Sequence, residues 1–168
     1  MREVTVKVYQ YSELSDKAKE KARQWFLEGM DSYWYDSTYE DAKQVGIEIT
    51  GFDIDRGSYC NIEFIKTPEK IAGYIIGNHG NICDTYKDSE TFISALNQLK
   101  IKYPSDDERN SDEYEEASEE LVAEYKNALS QSYLVMLRKE YEYQTSEECI
   151  AEGMEANEYE FTEDGKRL

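Results

Sequence analysis

The chain has 168 residues, 39 % of them apolar and 33 % charged, with 15 tyrosines and a formal net charge of −18. That length and apolar share support a folded core, while a negative field of this size repels nucleic acid and anionic membrane and attracts basic surfaces. No stretch approaches the ~20 apolar residues that cross a bilayer, the N-terminus alternates instead of forming an apolar leader, and the three dispersed cysteines (Cys60, Cys83, Cys149) do not make a disulfide framework, so a reduced protein of the cytoplasm is expected.

At the start, Val4, Val6 and Val8 alternate with Thr5, Lys7 and Tyr9, which predicts a strand over residues 3–10. Ser12 or Ser15 then caps a helix that ends near Glu28, with Leu14 as a staple, Ala18, Ala22, Trp25 and Phe26 on one face, and Gly29 as its break. A second helical pattern follows from Asp31 and stops at Gly46 in a left-handed turn. Residues 47–54 and 58–65 are β-rich and joined by Asp55, Arg56 and Gly57, a hairpin signal. The first strand and this hairpin are expected to form a small antiparallel sheet with helices against one face, an α+β fold. Thr67 and Pro68 open a helix that stops at Gly77 and Asn78, and another is expected from Ser89 onward.

Charge changes at Pro104. Residues 1–103 hold 17 acids and 13 bases, whereas residues 104–168 hold 20 and 6. Between Pro104 and Glu124 ten acids face one base, Arg109, a net −9 in 21 residues. Through the same turns runs an apolar series, Tyr114, Ala117, Leu121, Tyr125, Ala128, Leu129, Tyr133, Met136, Leu137 and Tyr141, at the three-and-four spacing of a helix that buries one side. A like-charge block alone tends to disorder, but this one shares its turns with a core-facing stripe, so the acids should line the outer face of a long helix. Ser146 then caps a short helix, and the tail alternates at Tyr159 and Phe161 before turning at Asp164 and Gly165, which predicts an edge strand. The expected organisation is an α+β core over 1–103 and an acidic helical region over 104–168 packed on it as a single domain; a chain ending near Lys102 is expected to keep cooperative unfolding.

Candidate chemistry is sparse. His79, the only histidine, lies in a glycine-rich loop near Cys83 and Asp84. A zinc site with Cys60 would need the doubled ligand spacing that this segment lacks, and a Cys–His nucleophilic pair has no supporting signature. Asp53, Asp55 and Gly57 resemble the start of a calcium loop, but Ser58 stands where glycine is required and Phe64 where glutamate is. Tyr33, Trp34, Tyr35 and Tyr39 could stack nucleic-acid bases, yet no basic groove accompanies them. No enzyme activity and no cofactor are therefore expected, and direct nucleic-acid binding is not. The candidate site is a partner-binding acidic surface made of Asp106, Asp107, Glu108, Asp112, Glu113, Glu116, Glu119 and Glu120, facing a basic protein surface.

The segment VTVKVYQYSELSDKAKEKARQWF, followed by GIEITGFDIDRGSYCNIEF and the closing EYEFTEDGK, resembles a family of small acidic accessory proteins carried by bacterial phages and mobile elements, some labelled antitoxin-like. That family is similar to type II anti-CRISPR proteins that inhibit Cas9. The resemblance is clearest over residues 4–65 and carries over no defined functional residue. It implies a Cas9 inhibitor, with Cas9 and its guide RNA as partner and an acidic surface competing with DNA. An antitoxin that neutralises a basic toxin, and an acidic interaction module whose charges serve solubility, are the alternatives that the residues leave open.

Overall fold

The computed structural model describes residues 7–30 and 33–168, and its architecture is α+β, with seven α-helices and one two-stranded antiparallel sheet among those residues. In chain order these are α1 (Asp16–Glu28), α2 (Asp36–Val45), β1 (Ile47–Asp53), β2 (Tyr59–Phe64), α3 (Pro68–Asn78), α4 (Asp84–Lys102), α5 (Asp106–Arg109), α6 (Asp112–Gln144) and α7 (Glu147–Ala156), preceded by a 3-10 turn at Tyr11–Glu13. Contacts gather the chain into two compact units, Met1–Tyr35 with Lys139–Leu168, and Asp36–Arg138.

In the first unit, α1 starts where the Ser15 hydroxyl accepts the Ala18 N–H at 3.4 Å, and α7 starts where Ser146 does the same for Cys149 at 3.2 Å. Ala18 and Ala22 of α1 are buried in one cluster with Ile150 and Met154 of α7, and Tyr11, Leu14 and Phe161 complete it. The tail is held by Phe161, whose backbone exchanges two 2.9 Å hydrogen bonds with Tyr9 and which also bridges Arg167. The turn between them depends on Gly165: its φ is +82°, and a Cβ there would lie 2.1 Å from the Ala18 carbonyl oxygen. The expected first strand, 3–10, lies outside the described residues as far as residue 6. Its described end pairs through Tyr9 with the tail and not with the hairpin. Alternation marks a half-buried strand but does not name the strand beside it.

The second unit is built on the hairpin. Ile47 pairs with Phe64 and Ile49 with Ile62, so the apolar side chains of both strands share one face; Ile47, Ile49, Cys60 and Ile62 are buried there. Gly46, at φ +102°, turns the chain from α2 into β1. α6 runs antiparallel to β2: Lys126 pairs with Glu63 at 2.7 Å, the Ser130 hydroxyl donates to the Cys60 carbonyl, and Arg138 donates to Ser58. Tyr125, Leu129, Tyr133, Leu134 and Leu137 of that helix are buried, beside Ile71, Ala72 and Ile75 from α3 and Phe92 and Leu96 from α4.

Three boundaries differ from the sequence pattern. α2 begins at Asp36, because Tyr33 to Tyr35 form a turn. α4 begins at Asp84, ahead of Ser89; that serine is buried inside the helix, with its hydroxyl on the Thr85 carbonyl at 2.8 Å, so it caps nothing. The stretch 104–111 carries the short helix α5, closed by a capping box between Ser105 and Glu108.

Candidate acidic interaction surface

The acidic surface is laid out by α5 and the first turns of α6. Asp106, Asp107 and Glu108 form the start of α5, and all three are exposed. Arg109 at its end donates from Nε to the Tyr103 carbonyl at 2.8 Å and from Nη2 to the Pro104 carbonyl at 3.2 Å. The one base of the segment thus satisfies carbonyls around the end of α4, and among the described residues its ion pair is with Asp106, at 3.8 Å with the Asp106 side chain 96 % exposed. Glu108 is also committed locally. Its carboxylate accepts the Ser105 hydroxyl at 2.7 Å and the Ser105 N–H at 2.9 Å, and these bonds hold its pKa below the usual glutamate range.

Along α6, Asp112, Glu116, Glu120 and Glu124 recur every fourth residue, with Glu113 and Glu119 beside the row. All six are exposed. At 100° per residue they centre roughly 130° from Tyr114, Ala117, Leu121 and Tyr125, with Asp112, Glu113, Glu116 and Glu119 turned outward and Glu120 and Glu124 nearer the edge of the inward stripe. Among the described residues no ion pair reaches Asp107, Asp112, Glu113, Glu116, Glu119 or Glu120. The three like-charge pairs in the four-residue row cost the helix about 0.6–1.5 kcal/mol together. Asp112, Glu113 and Glu115 recover about 0.3–1 kcal/mol each from the N-terminal end of the helix dipole, but Glu116, Glu119, Glu120 and Glu124 lie beyond its reach. Local helix energetics therefore do not account for those four.

The other residues singled out by sequence go elsewhere. His79 is only 13 % exposed in its side chain and is held from two sides, Nδ1 by the Thr85 hydroxyl at 2.9 Å and Nε2 by Asp41 at 3.5 Å. Cys60 is buried on β2, where burial pushes its thiol up to about 11, while Cys83 is exposed at the start of α4. Among the described residues no group of three or more His, Cys, Asp or Glu side chains could hold a metal ion. Trp34 packs edge-on against Tyr35 and Tyr141, and Tyr39 against Phe52, so these rings pack against other aromatic side chains. Only Tyr33 of that cluster is largely exposed, at 64 %. No helix among the described residues is long and apolar enough to cross a membrane.

Arg109 is a structural residue that composition marks only as the lone base of an acidic run, because the carbonyls it satisfies belong to the end of α4 and to Pro104. Compared with protein-family models, with curated proteins and with solved structures, the chain matches none.

Proposed function

We propose that this chain acts by binding, as an anti-CRISPR-type inhibitor of the bacterial cytoplasm whose acidic face occupies the basic channel of a Cas9-like nuclease with its guide RNA and competes with DNA. Effectors of that kind hold nucleic acid in positively charged channels and read its backbone. The observation that supports the reading is the outward row on α6, exposed and without a counter-ion among the described residues. From Asp112 to Glu124 the helix rises about 18 Å and carries seven acids, one per ~2.6 Å of axis. Duplex DNA carries one charge per ~1.7 Å, so this segment, counted around the whole helix, reaches roughly two-thirds of its linear density. In this reading the protein catalyses nothing and binds no nucleic acid itself.

The test replaces Asp112 by Asn and Glu116, Glu119 and Glu120 by Gln, which keeps side-chain shape and leaves the Tyr114, Leu121 and Tyr125 stripe alone. Exposed ion pairs contribute about 0.2–1 kcal/mol each, so losing four, about 0.8–4 kcal/mol, should weaken inhibition of DNA loading by about fourfold to several hundredfold. Inhibition by the parent should also fall as salt rises, because the facing charges are screened over ~8 Å at physiological ionic strength. A folded quadruple variant that blocks DNA loading as well as the parent at every salt concentration would remove this face from the mechanism.

A further inference from the structure

α4 and α6 are joined at the two ends of the segment they share. At one end Tyr103 meets Tyr114 edge-on at 5.6 Å. At the other, Phe92 stacks on Tyr125 at 4.4 Å, Ser89 bonds the Tyr125 hydroxyl at 2.7 Å, and Ser132 donates to Asp88 at 2.7 Å. Between these closures the facing side chains are Ala95 and Leu99 on α4 and Ala117 and Leu121 on α6. Two of those four are alanines, and they do not fill the space. A groove of about 550 Å³ opens there, and a smaller hollow of about 160 Å³, which shares Ala95, Leu121 and Glu124 with it, reaches Asp88 and Phe92.

The rim is acidic. Glu120 and Glu124 line the groove and Asp88 the hollow, and no ion pair meets any of the three among the described residues. Lys102 also lines the groove, but its ammonium lies 5.0 Å from the centre of the Tyr103 ring. Burial raises the pKa of Asp88, and it outweighs the opposing effects of the Ser132 hydroxyl and the Lys87 charge.

We propose that this groove receives a basic amphipathic helix of the partner protein, its apolar side chains against Ala95, Leu99, Ala117 and Leu121 and its lysine or arginine side chains against Glu120 and Glu124. The groove walls run about two helical turns, enough for two anchors one turn apart, the spacing by which an amphipathic helix seats in a groove. Long basic side chains cover apolar surface with their stems while their heads stay at the rim. A second copy of this chain is a poor occupant, since at a net −18 it would bring acid to acid. The proposal rests on reading the acidic face as a docking surface for a basic protein, and it adds an apolar component to that contact.

Two fluorescein-labelled helical peptides separate the two ideas: one of lysine with leucine at one-turn spacing, and one with the same lysines and alanine in place of leucine. Binding is read by fluorescence anisotropy on the full chain. The leucine peptide should bind at least about tenfold tighter, since burying even one leucine contributes more than the ~1.4 kcal/mol that tenfold requires. Filling the groove with Ala95→Leu and Ala117→Leu should bring the leucine peptide down to the alanine peptide's affinity without changing the latter. Should that variant unfold, backbone amide shifts of the parent on adding the leucine peptide decide the point: they must centre on Ala95, Leu99, Ala117 and Leu121. Equal affinity for the two peptides, or shifts centred elsewhere, overturns the groove and leaves the acidic face standing. Leucine-peptide binding that survives both neutralisation of the acids and high salt overturns the acidic reading and leaves the groove. Binding of neither peptide at low salt overturns both.

Discussion

Tyr133 shows how one buried polar group ties distant elements. Its ring is fully buried, and its hydroxyl donates to Asp41 at 3.0 Å; the other Asp41 oxygen faces His79, which in turn meets Thr85. Burial and the Asp41 charge push the phenol pKa up, so Tyr133 stays a neutral donor. Tyr133→Phe is expected to cost about 1–2 kcal/mol in urea unfolding and Tyr133→Ala about 3–5 kcal/mol. A Phe variant as stable as the parent would mean that water satisfies Asp41 equally well. At Asp88 burial raises the pKa as well, but there it opposes the charged form. Its pKa is raised in the folded state, mainly by burial, so the folded chain holds that proton more tightly than the unfolded one. The associated stability is full below the ordinary aspartate pKa of ~3.9 and is lost as pH rises through the raised folded value. Asp88→Asn, which can still accept from Ser132, should therefore melt at or above the parent's temperature near pH 7, with the advantage shrinking as pH falls through the raised folded pKa and levelling off below ~3.9. An Asn variant less stable than the parent at pH 7 would show that the carboxylate is favourably paired in solution.

At the scale of the element, α6 serves two environments with one period. Its inward stripe gives Tyr125, Leu129, Tyr133 and Leu137, all buried, while the turns before Glu124 point acids outward. Because those acids repel one another along the helix, neutralising Asp112, Glu116, Glu119 and Glu120 removes about 0.6–1.5 kcal/mol of repulsion and gives up about 0.3–1 kcal/mol of dipole stabilisation at Asp112. The quadruple variant should thus melt no lower than the parent at low salt. A lower melting temperature would mean that the acids contribute contacts to the fold, and its loss of inhibition could not then be assigned to charge alone. The groove beside α6 arises from the same helix: where the stripe carries the small Ala117, and α4 the small Ala95, packing between the two helices opens.

At the scale of the whole molecule, the expectation that a chain ending near Lys102 keeps cooperative unfolding does not agree with the packing. Such a chain lacks Tyr125, Leu129, Tyr133 and Leu137 from the second unit and Ile150, Met154 and Phe161 from the first. Each deleted large side chain is worth about 2–5 kcal/mol, against a total stability of about 5–15 kcal/mol for an ordinary domain. Residues 1–102 alone should show no cooperative transition by circular dichroism, whereas residues 36–138, which keep the hairpin and its helical cover, should retain one. Cooperative melting of 1–102 would mean that its helices cover the hairpin without α6. The shift in charge at Pro104 and the grouping of contacts fall at different places, since charge records what faces water and contacts record what does not.

By itself the sequence determined what depends on neighbours along the chain: a serine cap at Ser12 or Ser15 and one at Ser146, the glycine turns at Gly46 and Gly165, the hairpin around Gly57, and the separation of acids from apolar residues on α6. Each follows from backbone sterics or from a period of about 3.6 or 2 residues. Only the tertiary structure decided what depends on residues far apart. It paired Tyr9 with Phe161, spent Glu108 and Arg109 on helix ends, placed Ser89 inside a helix as a partner of Tyr125, and left space between α4 and α6 beside Ala95 and Ala117. A pattern of burial states that a side chain needs cover. Which side chain supplies it, and where none does, is settled by packing of groups that the sequence keeps dozens of residues apart.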